Sequence, residues 1–164
     1  MIEVMAIKVG DRVPNGSFTV MTGDGPKPMT TDELFKGKKV VLFAVPGAFT
    51  PTCHKNHLPG FVKNAAAIKA KGVNTIAVTG VNDVFVMDAW KKASGGDAIE
   101  FLADGSGNWA KALGLTADLT ERGLGVRSQR YAMVVDDGVV KTLNVEDAPG
   151  KCDISGGEAL LKQL

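Results

Sequence analysis

The stretch Phe43-Ala-Val-Pro-Gly-Ala-Phe-Thr-Pro-Thr-Cys-His-Lys-Asn-His-Leu-Pro-Gly-Phe61 carries a strand into a helix and sets one cysteine at the junction. Just upstream, Lys39-Val-Val-Leu-Phe-Ala-Val45 is a continuous apolar, β-branched run of strand length, the pattern of a strand covered on both faces. Pro46 and Gly47 end it. Thr50 followed by Pro51 reads as an N-cap with proline at the first helical position, which puts Cys53 third in the first turn. Backbone N–H groups without intrahelical partners and the positive end of the helix dipole meet there, and both favour thiolate over thiol. The thiolate is the nucleophile. Thr50-Pro-Thr-Cys53 has the spacing of a C-x-x-C redox motif with threonine first, so no disulfide closes within the turn. An oxidised Cys53 needs a partner from elsewhere. On chemistry alone, Cys53 is either this nucleophile or a small buried hydrophobe.

The frame around it is that of one domain. At 164 residues, 45% of them hydrophobic, the chain can bury a sizeable core and is expected to form a single domain over 1–164. Nineteen basic residues nearly cancel eighteen acidic ones, for a formal charge of +1, and no basic cluster appears. That balance points away from nucleic acid and anionic membrane as partners and towards a small substrate. Met1-Ile-Glu-Val-Met-Ala-Ile7 carries an acid and no basic leader region, and no apolar run approaches the ~20 residues of a membrane span. The expectation is a soluble, cytoplasmic protein. Two cysteines are too few for a disulfide scaffold and suit a reducing compartment.

In chain order, Ile7-Lys-Val9 and Ser17–Met21 read as strands, and Gly23-Asp-Gly-Pro-Lys-Pro28 as a tight connection. Thr30 to Phe35 opens as a capped short helix stopped at Gly37. The helix holding Cys53 is expected to run to Lys71 with Leu58, Phe61, Val62, Ala65, Ile68 and Ala70 on its apolar face, kinked or interrupted at Pro59-Gly60. A strand over Val73–Thr79 follows, then a helix over Val84–Ala93 capped at Asn82-Asp83. Ile99–Leu102 is the next strand, and Asp104–Gly107 leads to a short helix over Asn108–Leu113. The alternation predicts α/β architecture with a parallel sheet centre. Periodicity is weaker from Thr116 to Gln129, where one short helix or turn is expected over Ala117–Arg122. Asp137-Gly138 between the β-rich runs 130–136 and 139–145 is a hairpin signal. Ser155 with Glu158 reads as the capping box of a closing helix.

Pro46-x-x-x-Thr50-x-x-Cys53 resembles the P-x-x-x-T-x-x-C signature of peroxiredoxins, and Val45–Cys53 with His57-Leu-Pro-Gly-Phe61 is similar to the type II, peroxiredoxin five, subfamily. Val81–Trp90, Ala103–Gly107 and Gly123–Met133 extend the likeness over most of the chain. The resemblance implies a thioredoxin-like fold, a central mixed sheet flanked by helices with an N-terminal β extension. It implies a thiol-dependent peroxidase without a cofactor, reducing hydrogen peroxide and organic hydroperoxides through a sulfenic acid at Cys53. Recycling by glutaredoxin and glutathione, or by thioredoxin, and a homodimer are implied as well. An arginine at the start of a late strand lies beside the cysteine in that family; Arg130 matches the place and Arg127 competes with it. Thr50, the backbone N–H groups of Thr52 and Cys53, and Arg130 would orient the peroxide, with Pro46 shielding a reachable sulfur at the mouth of a pocket. Some members resolve the sulfenic acid with a second cysteine, so Cys152 is either a resolving thiol or a bystander.

A different reading uses Cys53-His54-x-x-His57 with Cys152 as metal ligands, although His54 points about a quarter-turn away from the face shared by Cys53 and His57, and the spacing matches no usual zinc pattern. A non-catalytic thioredoxin-like module is the third.

Overall fold

Every residue from Val40 to Val45 is buried, and successive side chains belong to different cores. The structure, a computed structural model, describes residues 6–164. The reading of the first residues as lacking a leader therefore falls largely outside the described residues. Strand β3 (Lys39–Val45) sends Val41, Phe43 and Val45 into one core and Val40, Leu42 and Ala44 into the other. This is the period of two expected of a strand with both faces covered.

Seven strands make one mixed sheet in the order β2-β1-β5-β4-β3-β8-β9. The centre is parallel: β4 (Thr75–Gly80) lies between β3 and β5 (Glu100–Ala103). The antiparallel part is β8 (Tyr131–Asp136) and β9 (Val139–Val145) on one side, and β1 (Ser17–Thr22) and β2 (Gly25–Thr30) on the other. Helices α2 (Leu58–Ala70), α3 (Val84–Ser94) and α5 (Gly157–Leu161) cover the face of Phe43. Helices α1 (Thr31–Phe35) and α4 (Asn108–Leu113) cover the face of Leu42. The architecture is the thioredoxin-like mixed sheet with a β extension at its start. No helix among the described residues is long and apolar enough to cross a membrane.

Local signals with one dominant cause turn out as expected. Thr30 caps α1 by accepting from Glu33 N–H, and Asp83 caps α3 by accepting from Val86 N–H. Asp137 and Gly138 both take positive φ, 47° and 81°, as a type I′ hairpin turn requires.

Six expectations need correction. Ile7-Lys-Val9 is no strand; Ile7 N–H instead bonds the Leu113 carbonyl at 2.9 Å. Gly23–Pro28 is not all turn, because residues 25–30 are β2. Pro26 and Pro28 are tolerated there since β2 is a sheet edge, where a missing N–H breaks no ladder bond. Ala70 is exposed rather than on the buried face. Residues 116–128 form a two-stranded hairpin, β6 (Thr116–Leu119) and β7 (Gly125–Ser128), around a 3₁₀ turn at Thr120–Arg122. Pro59 does not break its helix: a wide π turn over Cys53–His57 runs directly into α2, Leu58 N–H donating to the Cys53 carbonyl. Wide turns of this kind absorb a proline whose ring and missing N–H disturb the regular ladder.

The sixth concerns the last helix. Ser155 does not cap it, because its hydroxyl and its N–H both donate to Glu146 Oε1 at 2.9 Å, and Gly156 stands at the N-cap. Gly157 then lets α5 pass against α2, for a Cβ there would lie 2.6 Å from the Gly60 carbonyl oxygen. That close pass sets the segment 146–156, between β9 and α5, beside the helix carrying Cys53.

Candidate active site

The end of β3 and the start of the next helix place Cys53. Gly47 makes the connection, since a Cβ there would stand 3.0 Å from Thr50 Cγ2 and 3.1 Å from Arg127 Nη1. His54 N–H donates to the Thr50 carbonyl at 2.8 Å, the first bond of the helix. Thr52 and Cys53 precede it, where helical N–H groups have no intrahelical acceptor. Thr50 does not cap through its side chain as expected: its hydroxyl donates to the Gly47 carbonyl at 2.6 Å, leaving its lone pairs unused by the helix.

Arg130 is brought to the sulfur. It is 2% exposed, immediately before β8. Its Nη2 donates to Cys53 Sγ at 3.0 Å and to the Pro149 carbonyl at 2.9 Å, and its Nε donates to the same carbonyl at 3.1 Å. Arg127 is excluded from this role by its own bonds, Nε to the Leu124 carbonyl at 2.8 Å and Nη1 to the Pro46 carbonyl at 3.3 Å. It braces Pro46 instead.

Sequence reasoning missed His57 as part of this group, having weighed it as a metal ligand and otherwise as part of the His57–Phe61 stretch that carries the resemblance. The four-residue spacing from Cys53 was the available signal. His57 is buried, with Nε2 2.8 Å from the Ser155 carbonyl and Nδ1 2.9 Å from Arg130 Nη1. A carbonyl only accepts and a guanidinium only donates, so Nε2 carries the hydrogen and Nδ1 accepts. Burial, and after it the Arg130 charge, lowers His57 to about 3, with the Ser155 bond pulling the other way. The ring is therefore neutral at working pH.

The segment 146–156 lies over this group as a strap. Thr52 Oγ1 donates to the Gly150 carbonyl at 3.0 Å, Arg130 holds Pro149, and His57 holds Ser155. Glu146 Oε1 gathers the strap on itself, accepting from Asp153 N–H at 2.6 Å and from Ser155. Beneath the strap, Cys53 is 0% exposed. The expected reachable sulfur at a pocket mouth is thus corrected. A cleft of about 270 Å³ is lined by Pro46, Thr50, Thr52 and Arg130 among others, but the sulfur lies behind Arg130 and outside its wall.

Cys152 sits half-buried on the strap as a free thiol, with no disulfide to Cys53. Burial pushes its thiol up, against the pull of Arg130. The metal reading finds no geometry. Among the described residues no three His, Cys, Asp or Glu side chains converge; His54 Nδ1 accepts from Trp90 Nε1 at 3.1 Å, and His57 is committed to Arg130.

Comparison with known proteins agrees with this geometry. The Redoxin family model matches residues 8–161. Peroxiredoxin-2E-2, chloroplastic, of Oryza sativa subsp. japonica is 50% identical over 167 residues, covering 98% of this chain and 74% of that protein. Peroxiredoxin-2C of the same organism is 48% identical, covering 96% of this chain and 98% of its own. Among solved structures, reduced Prx3 in complex with H2O2 from Vibrio vulnificus superposes with a TM-score of 0.91 at 51% identity, over 96% of this chain and 98% of that one.

The depressed His57 value has a consequence for stability. Between pH 6.5 and about 3 the unfolded chain binds a proton at this position that the folded chain refuses, so His57 favours folding above pH 6.5 and loses that contribution as pH falls towards 3. In urea titrations from pH 7 to pH 4, a His57→Gln variant is expected to show a stability slope shallower by up to about one proton. An unchanged slope would contradict a buried neutral imidazole.

Proposed function

Because this chain belongs to the redoxin family as a peroxiredoxin, a thiol-dependent peroxidase, we propose that Cys53 is its peroxidatic sulfur and that Thr50, Arg130 and the N–H groups of Thr52 and Cys53 handle the peroxide. The contact from Arg130 Nη2 to Cys53 Sγ at 3.0 Å carries this reading. A guanidinium stays protonated at any working pH, so it stabilises negative charge on the sulfur and donates to a peroxide oxygen drawn in beside it.

The Cys53 thiolate attacks the terminal, hydrogen-bearing oxygen of the hydroperoxide. The S–O bond forms as the O–O bond breaks, and the leaving alkoxide or hydroxide takes up a proton to become alcohol or water. Sulfur is oxidised to sulfenic acid and the peroxide is reduced by the same two electrons. Thr50 Oγ1 accepts the peroxide O–H, which its bond to Gly47 leaves it free to do. Arg130 and the N–H groups donate to the oxygens as charge moves to the departing one. Pro46, buried and braced by Arg127, keeps water off the sulfur.

The sulfenic acid is reduced by an external thiol, glutathione with glutaredoxin or thioredoxin, and Cys152 is a bystander on the strap. The burial that pushes the Cys152 thiol up supports this, as does the number of hydrogen bonds that pin its segment. Recycling then needs no bond between Cys53 and Cys152. The chain works as a homodimer, for which the exposed rings of Phe49 and Phe85 are the natural contact; Phe49 is held at φ 63°.

Three measurements check these assignments. Cys53→Ser is expected to abolish peroxide consumption in coupled assays with glutaredoxin and thioredoxin, and Arg130→Gln to slow it by about 10² or more. Parental turnover in Cys53→Ser would remove the mechanism. Mass spectrometry after one equivalent of peroxide is expected to find sulfenic acid, or a glutathione adduct when glutathione is added, on Cys53; an intramolecular disulfide would make Cys152 the resolving thiol. Sedimentation is expected to give a dimer that Phe85→Asp weakens, and a parental monomer would refute the pairing.

A further inference from the structure

We propose that Arg122 is a specificity-determining residue that selects organic hydroperoxides carrying a carboxylate. The proposal rests on the peroxidase reading above and names the substrate class of the same site.

The cleft beside Arg130 is shaped for more than hydrogen peroxide. Its volume is about 270 Å³, and its walls include Thr50, Leu119, Arg122, Leu124, Arg130 and Pro149. Hydrogen peroxide needs only the polar end, where Thr50 and Arg130 stand. The apolar wall of Leu119, Leu124 and Pro149 serves a substrate with a carbon body. At slightly under the ~300 Å³ where pockets for drug-sized ligands begin, the space suits a compact aryl or short alkyl group.

Charge narrows the class. The lining residues bring two guanidinium groups and no carboxylate. Arg130 is committed to the sulfur, His57 and the strap. Arg122 is exposed, and the ion pairs among the described residues, Asp24 with Lys27, Asp88 with Lys92 and Asp147 with Lys151, leave it out. The backbone that carries it is nevertheless held. It ends the 3₁₀ turn of the β6–β7 hairpin, closed by Gly123 N–H to the Thr120 carbonyl at 3.0 Å and Leu124 N–H to the Leu119 carbonyl at 3.1 Å. Leu119 and Leu124, on either side of that turn, face the same cleft.

A substrate that satisfies all of these walls puts its O–O end at Thr50 and Arg130, its carbon body on the leucines, and a carboxylate on Arg122. The reaction is unchanged: the S–O bond forms, the O–O bond breaks, and the alcohol departs with its carboxylate intact. A guanidinium at a wet rim attracts the anion in a salt-dependent way.

The test compares carboxy-substituted cumene hydroperoxide with its methyl ester, and hydrogen peroxide is run on the parent protein to report on peroxidase activity itself. The parent is expected to prefer the acid over the ester by about threefold to tenfold in kcat/KM at low salt, with the preference shrinking as salt is added. Arg122→Gln brings the ratio of the two substrates close to one, and Arg122→Lys restores part of it. Equal rates on acid and ester in the parent, or a preference that survives Arg122→Gln, would overturn the role of Arg122 while leaving the peroxidase intact. A parent inactive on hydrogen peroxide as well would overturn the peroxidase reading and this inference with it.

Discussion

A guanidinium only 2% exposed is costly to bury, and the site is organised around meeting its needs. Removing a cation from water is tolerated only where its donors find partners and its charge finds compensation. Arg130 finds Cys53 Sγ, His57 Nδ1 and the Pro149 carbonyl, and no carboxylate among its hydrogen-bond partners. The nearby Glu146 spends its Oε1 on the strap. Of the hydrogen-bond partners of Arg130, sulfur alone can carry a full negative charge, which is the charge the proposed mechanism places there. The neutral His57 fits the same arrangement, for a second cation against Arg130 would undo it.

Geometry at one turn of helix makes the arrangement possible. Cys53 and His57 are the first and last residues of the π turn, and both reach Arg130. Residues four apart share a face of an α-helix, and the wider turn keeps them together while accommodating Pro59 just beyond. The proline that sequence reasoning expected to break the helix thus coincides with the irregularity that sets the two side chains on one guanidinium.

Legibility followed the range of the forces involved. The strand before Cys53, the Asp83 cap and the Asp137-Gly138 turn were readable because their causes lie within a few residues. Ser155 misled because its local pattern of serine with an acid three residues on is that of a capping box, yet a carboxylate nine positions upstream takes both its hydroxyl and its N–H. The hairpin at 116–128 has short strands and little alternation, so pairing across it rather than sequence pattern decides its form. Arg130 was separated from Arg127 only through resemblance. Burial decides between them physically, and that is a property of the folded chain. The strap was invisible for a related reason: its contacts with the site are to backbone carbonyls, which every residue possesses.

Those carbonyls also separate the two halves of the catalytic cycle. Thr52, Arg130 and His57 grip Gly150, Pro149 and Ser155 through main-chain oxygen, while Glu146 Oε1 holds the strap to its own shape over Cys53. A peroxide entering by the cleft stops at Arg130, and with Cys53 0% exposed it meets the sulfur only when a side chain of that wall gives way. A thiol reductant carries a peptide or a protein behind its sulfur, and Cys53 is fully covered. For that partner the strap has to lift, and lifting it releases acceptors of Arg130 and His57 at the same time. On the proposed mechanism, forming the sulfenic acid puts a neutral oxygen-bearing group where the anionic sulfur faced the guanidinium, which weakens that charge compensation. On that mechanism, oxidation of the sulfur removes charge compensation from Arg130, whose bonds to Pro149 are among the contacts a thiol reductant has to displace.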